Sequence, residues 1–335
     1  MDDSKTRFAI VGAGAISQGY AQAFQDCEEA EVVGVADTRG NAARSLAEVL
    51  GCDTYESHVA LMDGCDIDAV LVSTPPSSHP EICLDFIERK IPVLCEKPFS
   101  ITSKEAEQVL NAARDSGVPI TMASKFRYVN DVVKAKQIVD SGILGEIVQF
   151  ENVFAARVDM SDRWNSDSAI SGGGVLIDNG THSVDIARYF LGPLAEVLVM
   201  EGKRSQGLDV EDTVRISVRS EQGVIGNIEL SWSINKELDR YIGIFGSRGT
   251  VLVGWKESKY HQSSSPDWVE FGQGYNKVQA FRSQIENFSR AIRGQEALLI
   301  NPDDAYASVR VIEAAYESLR EDHWKSVRND VTVYA

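Results

Sequence analysis

The sequence is poor in the residues on which disulfide scaffolds, metal centres and membrane spans depend. It has five cysteines, Cys27, Cys52, Cys65, Cys83 and Cys95. That odd number, with no C-x-x-C spacing, predicts reduced thiols and a cytoplasmic protein. Histidines also number only five. No apolar stretch approaches the ~20 residues that a membrane helix needs. The opening MDDSKTRFAIVGAG enters an apolar strand without signal-peptide architecture. Basic residues are outnumbered, 33 Lys and Arg against 50 Asp and Glu, for a net charge of −17. An acidic surface repels phosphate backbones and anionic lipid, so neither nucleic acid nor a membrane is expected as a partner. Internal repeats and low-complexity tracts are lacking, and HQSSSPD (261–267) reads as a short polar loop.

What is present is enough chain, 335 residues, for two domains of ordinary size. Up to residue 124, short runs rich in Val, Ile and Leu (7–12, 31–37, 68–75, 92–96 and 119–123) alternate with helical stretches (15–26, 40–50, 78–90 and 103–116). That alternation predicts a parallel, doubly wound α/β sheet of the Rossmann kind, covered on both faces. The remainder, 125–335, reads as an α+β domain. After a helix near 129–141 come strand-like runs at 145–157, 195–204, 212–220, 223–233, 240–246 and 249–255. These predict a large, mostly antiparallel open sheet, closed by helices near 277–293 and 303–321. The final VTVYA is a candidate edge strand.

FAIVGAGAIS places Gly12, Gly14 and Ser17 in a G-x-G-x-x-G/A pattern between a strand and a helix. Gly12 allows a tight turn, Gly14 lets the backbone approach a pyrophosphate, and a small third residue lets helix and strand pack closely. Ala15 and Ile16 open that helix, whose N-terminus favours an anion. Asp37 ends the second strand, where a carboxylate accepts from ribose hydroxyls and repels a 2′-phosphate. This favours NAD. Arg39 keeps NADP open, because an arginine here can bind that phosphate or stack on adenine; Thr38 lies between the two.

VSTPPSSHP (72–80) ends another strand. There Ser73, Thr74 and Pro75 would line the dinucleotide, while His79 either contributes to that site or caps the next helix. IPVLCEKP (91–98) is an apolar run ending in Glu96, Lys97 and Pro98. In an open parallel sheet, ligands sit beyond the carboxyl ends of the strands, which would aim Lys97 into the crevice. As a bare dipeptide, Lys-Pro is more often a surface turn. Glu96 reads as either a structural hydrogen-bonding group or a ribose contact. Later, SGGGVLIDNGTHSVDIARYFLGP (171–193) becomes helical after three glycines, a stretch that permits close approach of a ligand. Asp178, His182 and Asp185 fall four and three residues apart, on one helix face. His182 is then either a core histidine bonded to an aspartate or a functional one. A metal is not expected, because a third ligand is lacking nearby.

Together, G-x-G-x-x-S, E-K-P and G-G-G-x-x-x-D-x-G-x-H-x-x-D resemble the glucose–fructose oxidoreductase/inositol dehydrogenase family (Gfo/Idh/MocA). Residues 125–147 and 281–320 fit as well, so the likeness runs along essentially the whole chain. The resemblance implies an NAD(P)-dependent oxidoreductase acting on a sugar, cyclitol or sugar nucleotide, with Lys97, Asp178 and His182 as catalytic group. It also implies a cis Lys97–Pro98 bond. Lys125 and Arg127, and Arg163, Trp164 and Asn165 before the glycines, resemble cofactor- and substrate-lining segments. Lys125 departs from the Arg or His of many relatives, and Asn179 occupies a usually apolar position.

The expected chemistry is reversible alcohol oxidation. His182 takes the hydroxyl proton, an imidazole with an ordinary pKa of about 6.5 being suited to that. Lys97 stabilises charge on the reacting oxygen, and Asp178 holds the hydroxyl or Lys97. Two other readings are an NAD-dependent glycosidase that oxidises its sugar transiently and a non-catalytic NAD-binding regulator. The alternating runs of the second sheet, with Trp232 and Trp255, predict a homodimer or homotetramer paired through that sheet.

Overall fold

The computed structural model describes residues 5–327; the VTVYA strand expectation lies outside them. The described chain forms two compact units, 5–128 with Lys277–Tyr306, and Val129–Asn276 with 307–327.

The first unit is built as β1 (Thr6–Val11), α1 (Ala15–Gln25), β2 (Ala30–Ala36), α2 (Gly40–Leu50), β3 (Asp53–Tyr55), α3 (His58–Gly64), β4 (Ala69–Val72), α4 (His79–Glu88), β5 (Val93–Glu96), α5 (Ser103–Ser116) and β6 (Ile120–Ala123). Its six strands are all parallel, in the order β3-β2-β1-β4-β5-β6. This is a doubly wound Rossmann sheet, whose order reverses between β1 and β4. Every residue of β4, β5 and β6 is buried, as expected for strands with helices on both faces. The helix ends follow local chemistry. Thr102 and Glu105 form a reciprocal capping box on α5, which stops at Gly117 in the left-handed conformation. The segment β3–α3 escaped the sequence reading. The strand has only three residues, two of them exposed, and the helix only seven, too short to show a period.

The second unit begins with α6 (Asn130–Asp140), β7 (Ile147–Ala155), α7 (Ser168–Ser171) and α8 (Val175–Leu191). Then follow β8 (Leu194–Glu201), β9 (Thr213–Ser220), β10 (Ile225–Ser231), β11 (Arg240–Gly246), β12 (Gly249–Gly254), β13 (Ser258–Gln262) and β14 (Trp268–Gly272). Helix α8 lies against β7, β9 and β10. Their alternating residues Phe150, Phe154, Val214, Ile216, Val218, Ile228 and Leu230 are buried, whereas Val148, Met200 and Ile225 are exposed. Two expectations change here. Trp232 is buried at 2% exposure, so of these two tryptophans Trp255 alone, at 39%, adds apolar area to the surface. The 261–267 segment is not all loop either. His261 and Gln262 pair with Thr250 and Gly249 in β13, and the rest turns into β14.

Helix α9 (Lys277–Ile292) belongs to the first unit, not to the stretch after residue 124 in which the sequence division put it. The cause is its apolar face. Phe281, Ile285 and Phe288 join Phe8, Tyr20 and Phe24 in one buried cluster. Helix α10 (Pro302–Glu321) then leads to β15 (Lys325–Ser326), an edge strand antiparallel to β8. The completed sheet has nine strands, β14-β13-β12-β11-β7-β10-β9-β8-β15, antiparallel except where β10 meets β7.

Candidate functional site

The glycine turn is fastened from below and open above. Gly12 has φ +100°, and a Cβ there would stand 2.7 Å from the Ser73 carbonyl oxygen. Ser17 explains its own place in the motif. Its hydroxyl donates to the Gly12 carbonyl at 2.6 Å and lies 3.0 Å from the Ser73 hydroxyl, which itself reaches the Gly12 carbonyl at 3.0 Å. The turn is thereby tied to the end of β4. At Gly14, by contrast, an added Cβ would meet no protein atom within 4 Å. Gly14 is also the N-cap of α1, with no side-chain cap on the amides that lead into Ala15 and Ile16. An open backbone beside a helix N-terminus is the cradle that a dinucleotide pyrophosphate requires.

Asp37 reaches into this turn. The Ala13 amide donates to its Oδ2 at 2.7 Å, while Arg39 donates to Oδ1 from its amide at 2.7 Å and from Nε at 3.2 Å. Burial pushes the carboxyl up, but the bonds from Arg39 and Ala13 outweigh it and leave the pKa below the ordinary value. Asp37 is therefore a carboxylate held at the end of β2, and Thr38 lies between the two members of the pair. The NAD cofactor of the sequence reading fits these residues.

The E-K-P turn follows β5 and is braced on two sides. Its Lys97–Pro98 peptide is cis. Glu96 points inward. Its Oε1 accepts the Tyr20 hydroxyl at 2.6 Å and its Oε2 accepts the Lys97 amide at 3.0 Å. Gln284 on α9 donates in turn to the Tyr20 oxygen at 2.8 Å. Burial pushes the Glu96 carboxyl up, opposed by Lys125, the Tyr20 phenol and Lys97. Of the two roles considered for Glu96, the structural hydrogen bond is present. On the other side is His79. Its Nδ1 is 2.9 Å from the Pro98 carbonyl and its Nε2 2.8 Å from the Thr74 carbonyl. It opens α4 without making a side-chain cap. The buried ring instead lies between the 73–75 turn, including Pro75, and the lysine turn; burial lowers its pKa, and a neutral ring donates to one of the two carbonyls at a time.

Lys125 and Arg127 occupy the short 3-10 turn after β6. The Lys125 ammonium is 5.8 Å from the centre of the Phe281 ring. Arg127 is only 3% exposed and pairs with Asp304 at 3.0 Å, which ties the turn to the start of α10.

The other candidate residues belong to the second unit. Arg163, Trp164 and Asn165 lie on the connection between β7 and α7, with Trp164 at 42% exposure. Asp178 is in the first turn of α8 and His182, buried, is one turn further on. Gly180 lies between them in a closely packed place, where a Cβ would stand 3.3 Å from both Leu230 and Ile312. The preceding glycines are approached by protein atoms. A Cβ on Gly173 would fall 1.8 Å from the Tyr316 hydroxyl, and one on Gly174 2.1 Å from the Glu211 carbonyl oxygen. The close approach read from this stretch is thus made by Glu211 and Tyr316. Sequence reasoning missed both, as it missed Tyr20 and Gln284. Their partners are far along the chain and no local spacing connects them.

The chain matches two consecutive family models. Residues 6–124 match "GFO_IDH_MocA: Oxidoreductase family, NAD-binding Rossmann fold", and residues 132–252 match "GFO/IDH/MocA C-terminal domain". It is 27% identical over 332 residues to the rhizopine catabolism protein MocA of Rhizobium meliloti, covering 98% of this chain and 99% of that one. It is 24% identical over 343 residues to an inositol 2-dehydrogenase of Rhizobium meliloti (strain 1021), covering 96% and 99%. Among solved structures, levoglucosan dehydrogenase in complex with NADH and L-sorbose superposes with a TM-score of 0.89 at 20% identity, covering 99% of this chain and 100% of that one. With a Rossmann sheet, an open glycine turn and both family regions in sequence, this chain belongs to the GFO/IDH/MocA family of oxidoreductases.

Proposed function

We infer that the protein transfers a hydride between a nicotinamide cofactor and a secondary alcohol or ketone of a sugar, cyclitol or sugar nucleotide. The observation that carries this reading is the lysine turn. Lys97 stands at the carboxyl end of β5, its amide fixed by Glu96 and its neighbour Pro98 by His79. Two buried side chains hold the turn in place, as expected when its half-buried lysine must be aimed. The relatives' names, inositol 2-dehydrogenase and levoglucosan dehydrogenase, indicate the substrate class.

NAD, when bound, supplies the hydride acceptor. The chain's own residues handle the oxygen and the proton. His182 takes the hydroxyl proton, Lys97 donates a hydrogen bond to the reacting oxygen, and Asp178 orients the hydroxyl or the lysine. Arg163, Trp164, Asn165 and Lys125 contribute to substrate selection. The second sheet's outward Val148, Met200 and Ile225 suit self-association into a dimer or tetramer, and a monomer by light scattering rejects that part of the reading.

The test is a screen of inositols, aldoses, 3-keto sugars and nucleotide sugars with NAD and NADP, following reduced nicotinamide by absorbance. Turnover on a polyol with stoichiometric NADH is expected. Tight NADH binding with no turnover on any member would replace this reading with a regulator. Cleavage of a glycoside without net NADH would replace it with the glycosidase.

A further inference from the structure

The amides at the start of α8 are satisfied from another part of the chain. Position 174, the N-cap, is glycine and offers no side chain, although the helix carries the reacting pair of the reading above. Glu211, at the entry to β9, takes the cap's place. Its Oε1 accepts the Gly174 amide at 2.9 Å and the Leu176 amide at 3.0 Å, and its own carbonyl accepts the Val175 amide at 2.9 Å. Three successive orphan donors are thus met by one residue. Tyr316 on α10 completes the arrangement by donating its hydroxyl to the same Oε1 at 2.8 Å. Glycine at 173 and 174 is what lets Tyr316 and Glu211 come this close.

We propose that Glu211 and Tyr316 are positioning residues, which fix the first turn of α8 and through it the carboxylate of Asp178. Asp178 begins one helical turn after the cap, its amide bonded to the Gly174 carbonyl at 3.1 Å. A displacement of the cap is therefore passed directly to Asp178. The carboxylate at 211 also places a negative group at the positive end of the helix, where it is favourable. The assignment rests on Asp178 being part of the reacting group.

Two measurements test it, both on Tyr316→Phe. Amide hydrogen exchange of the whole chain should speed up at Gly174 and Leu176 by about tenfold or more in Tyr316→Phe, while residues 184–191 of α8 stay protected. Unchanged exchange at both amides would overturn the cap. The second measurement is a double-mutant cycle in kcat, on the best polyol from the screen, with myo-inositol as the first probe. Tyr316→Phe should lower kcat about tenfold in the wild-type background and less than about twofold in Asp178→Asn, because the two act as one unit. Equal losses in both backgrounds would mean a merely structural role and overturn the positioning claim. An Asp178→Asn enzyme with wild-type kcat would remove Asp178 from the reacting group and the positioning role with it, leaving the exchange result to stand for the cap alone.

Discussion

The Tyr20 hydroxyl on α1 donates to the buried Glu96 carboxylate on β5 at 2.6 Å, and the second oxygen of that carboxylate takes the amide of Lys97. A side chain of the nucleotide-binding helix therefore helps hold the lysine turn. Tyr20→Phe would leave Glu96 Oε1 and the Gln284 amide each short of a partner. The expected cost is about 1–3 kcal/mol of stability, read from urea midpoints. No change would mean that the two groups find other partners at no cost.

Glu96 also has a pH signature. Burial raises its carboxyl pKa in the folded protein. For a raised acid, the stabilising contribution is complete below the unfolded value of about 4.3 and is lost as pH rises through the folded value. Glu96→Gln carries a fixed penalty for its mismatched amide but lacks this titration. The stability gap between wild type and variant should then narrow as pH rises from about 4 towards neutrality. Urea unfolding of both proteins across that range checks the sign, and a widening gap would contradict it.

Gly12 and Gly14 should fail in opposite ways. Gly12→Ala forces a side chain onto φ +100° and against the Ser73 carbonyl, so the fold should lose about 1–3 kcal/mol. Gly14→Val meets no protein atom within 4 Å at its Cβ, and its thermal midpoint should stay near wild type. It should nevertheless weaken NADH binding about tenfold or more, by filling the space next to the α1 amides. Thermal melts and NADH fluorescence titrations separate the two. If Gly14→Val bound NADH normally, the cradle would be misplaced.

Asp37→Asn removes the charge while keeping an oxygen for the Ala13 amide. Arg39 is 64% exposed, so losing its ion pair alone should cost only about 0–1 kcal/mol. Without the carboxylate, a 2′-phosphate is no longer repelled and Arg39 is released to meet it. The ratio of NADPH to NADH affinity should rise about tenfold, or ~1.4 kcal/mol. Fluorescence titration with both coenzymes measures it; an unaltered ratio would mean that Asp37 does not set coenzyme choice.

Much of this was legible in the sequence because it is local. The glycine turn, Asp37 at a strand end and the apolar strand leading to Lys97 each declare themselves within a dozen residues, and their periods fix the sheet. Glu96 shows what is not legible. Its partner Tyr20 lies 76 positions away, and Gln284, which bonds Tyr20, lies 264 positions from that tyrosine; only the fold brings the three together. The same holds for Glu211 beneath the three glycines. The run looks like room for a ligand, yet the room is taken by Glu211 and Tyr316. Helix α9 is the larger case. Its apolar face was visible, but nothing local says that the face belongs with β1 and α1.

Lys97 is the residue on which the proposed chemistry turns. Removing a hydrogen-bond donor to a developing oxyanion costs about two to three orders of magnitude in kcat. Lys97→Ala is expected to lose at least that much. The backbone of the turn is held by Glu96 and His79, so the variant should fold and bind NADH within about threefold of wild type. Lys97→Arg keeps the charge but replaces a compact ammonium with a planar fork, so it should recover only part of the rate. Stopped-flow turnover with parallel NADH titrations distinguishes the outcomes. Near-wild-type kcat in Lys97→Ala would return the E-K-P turn to the structural role that its buried glutamate already fills.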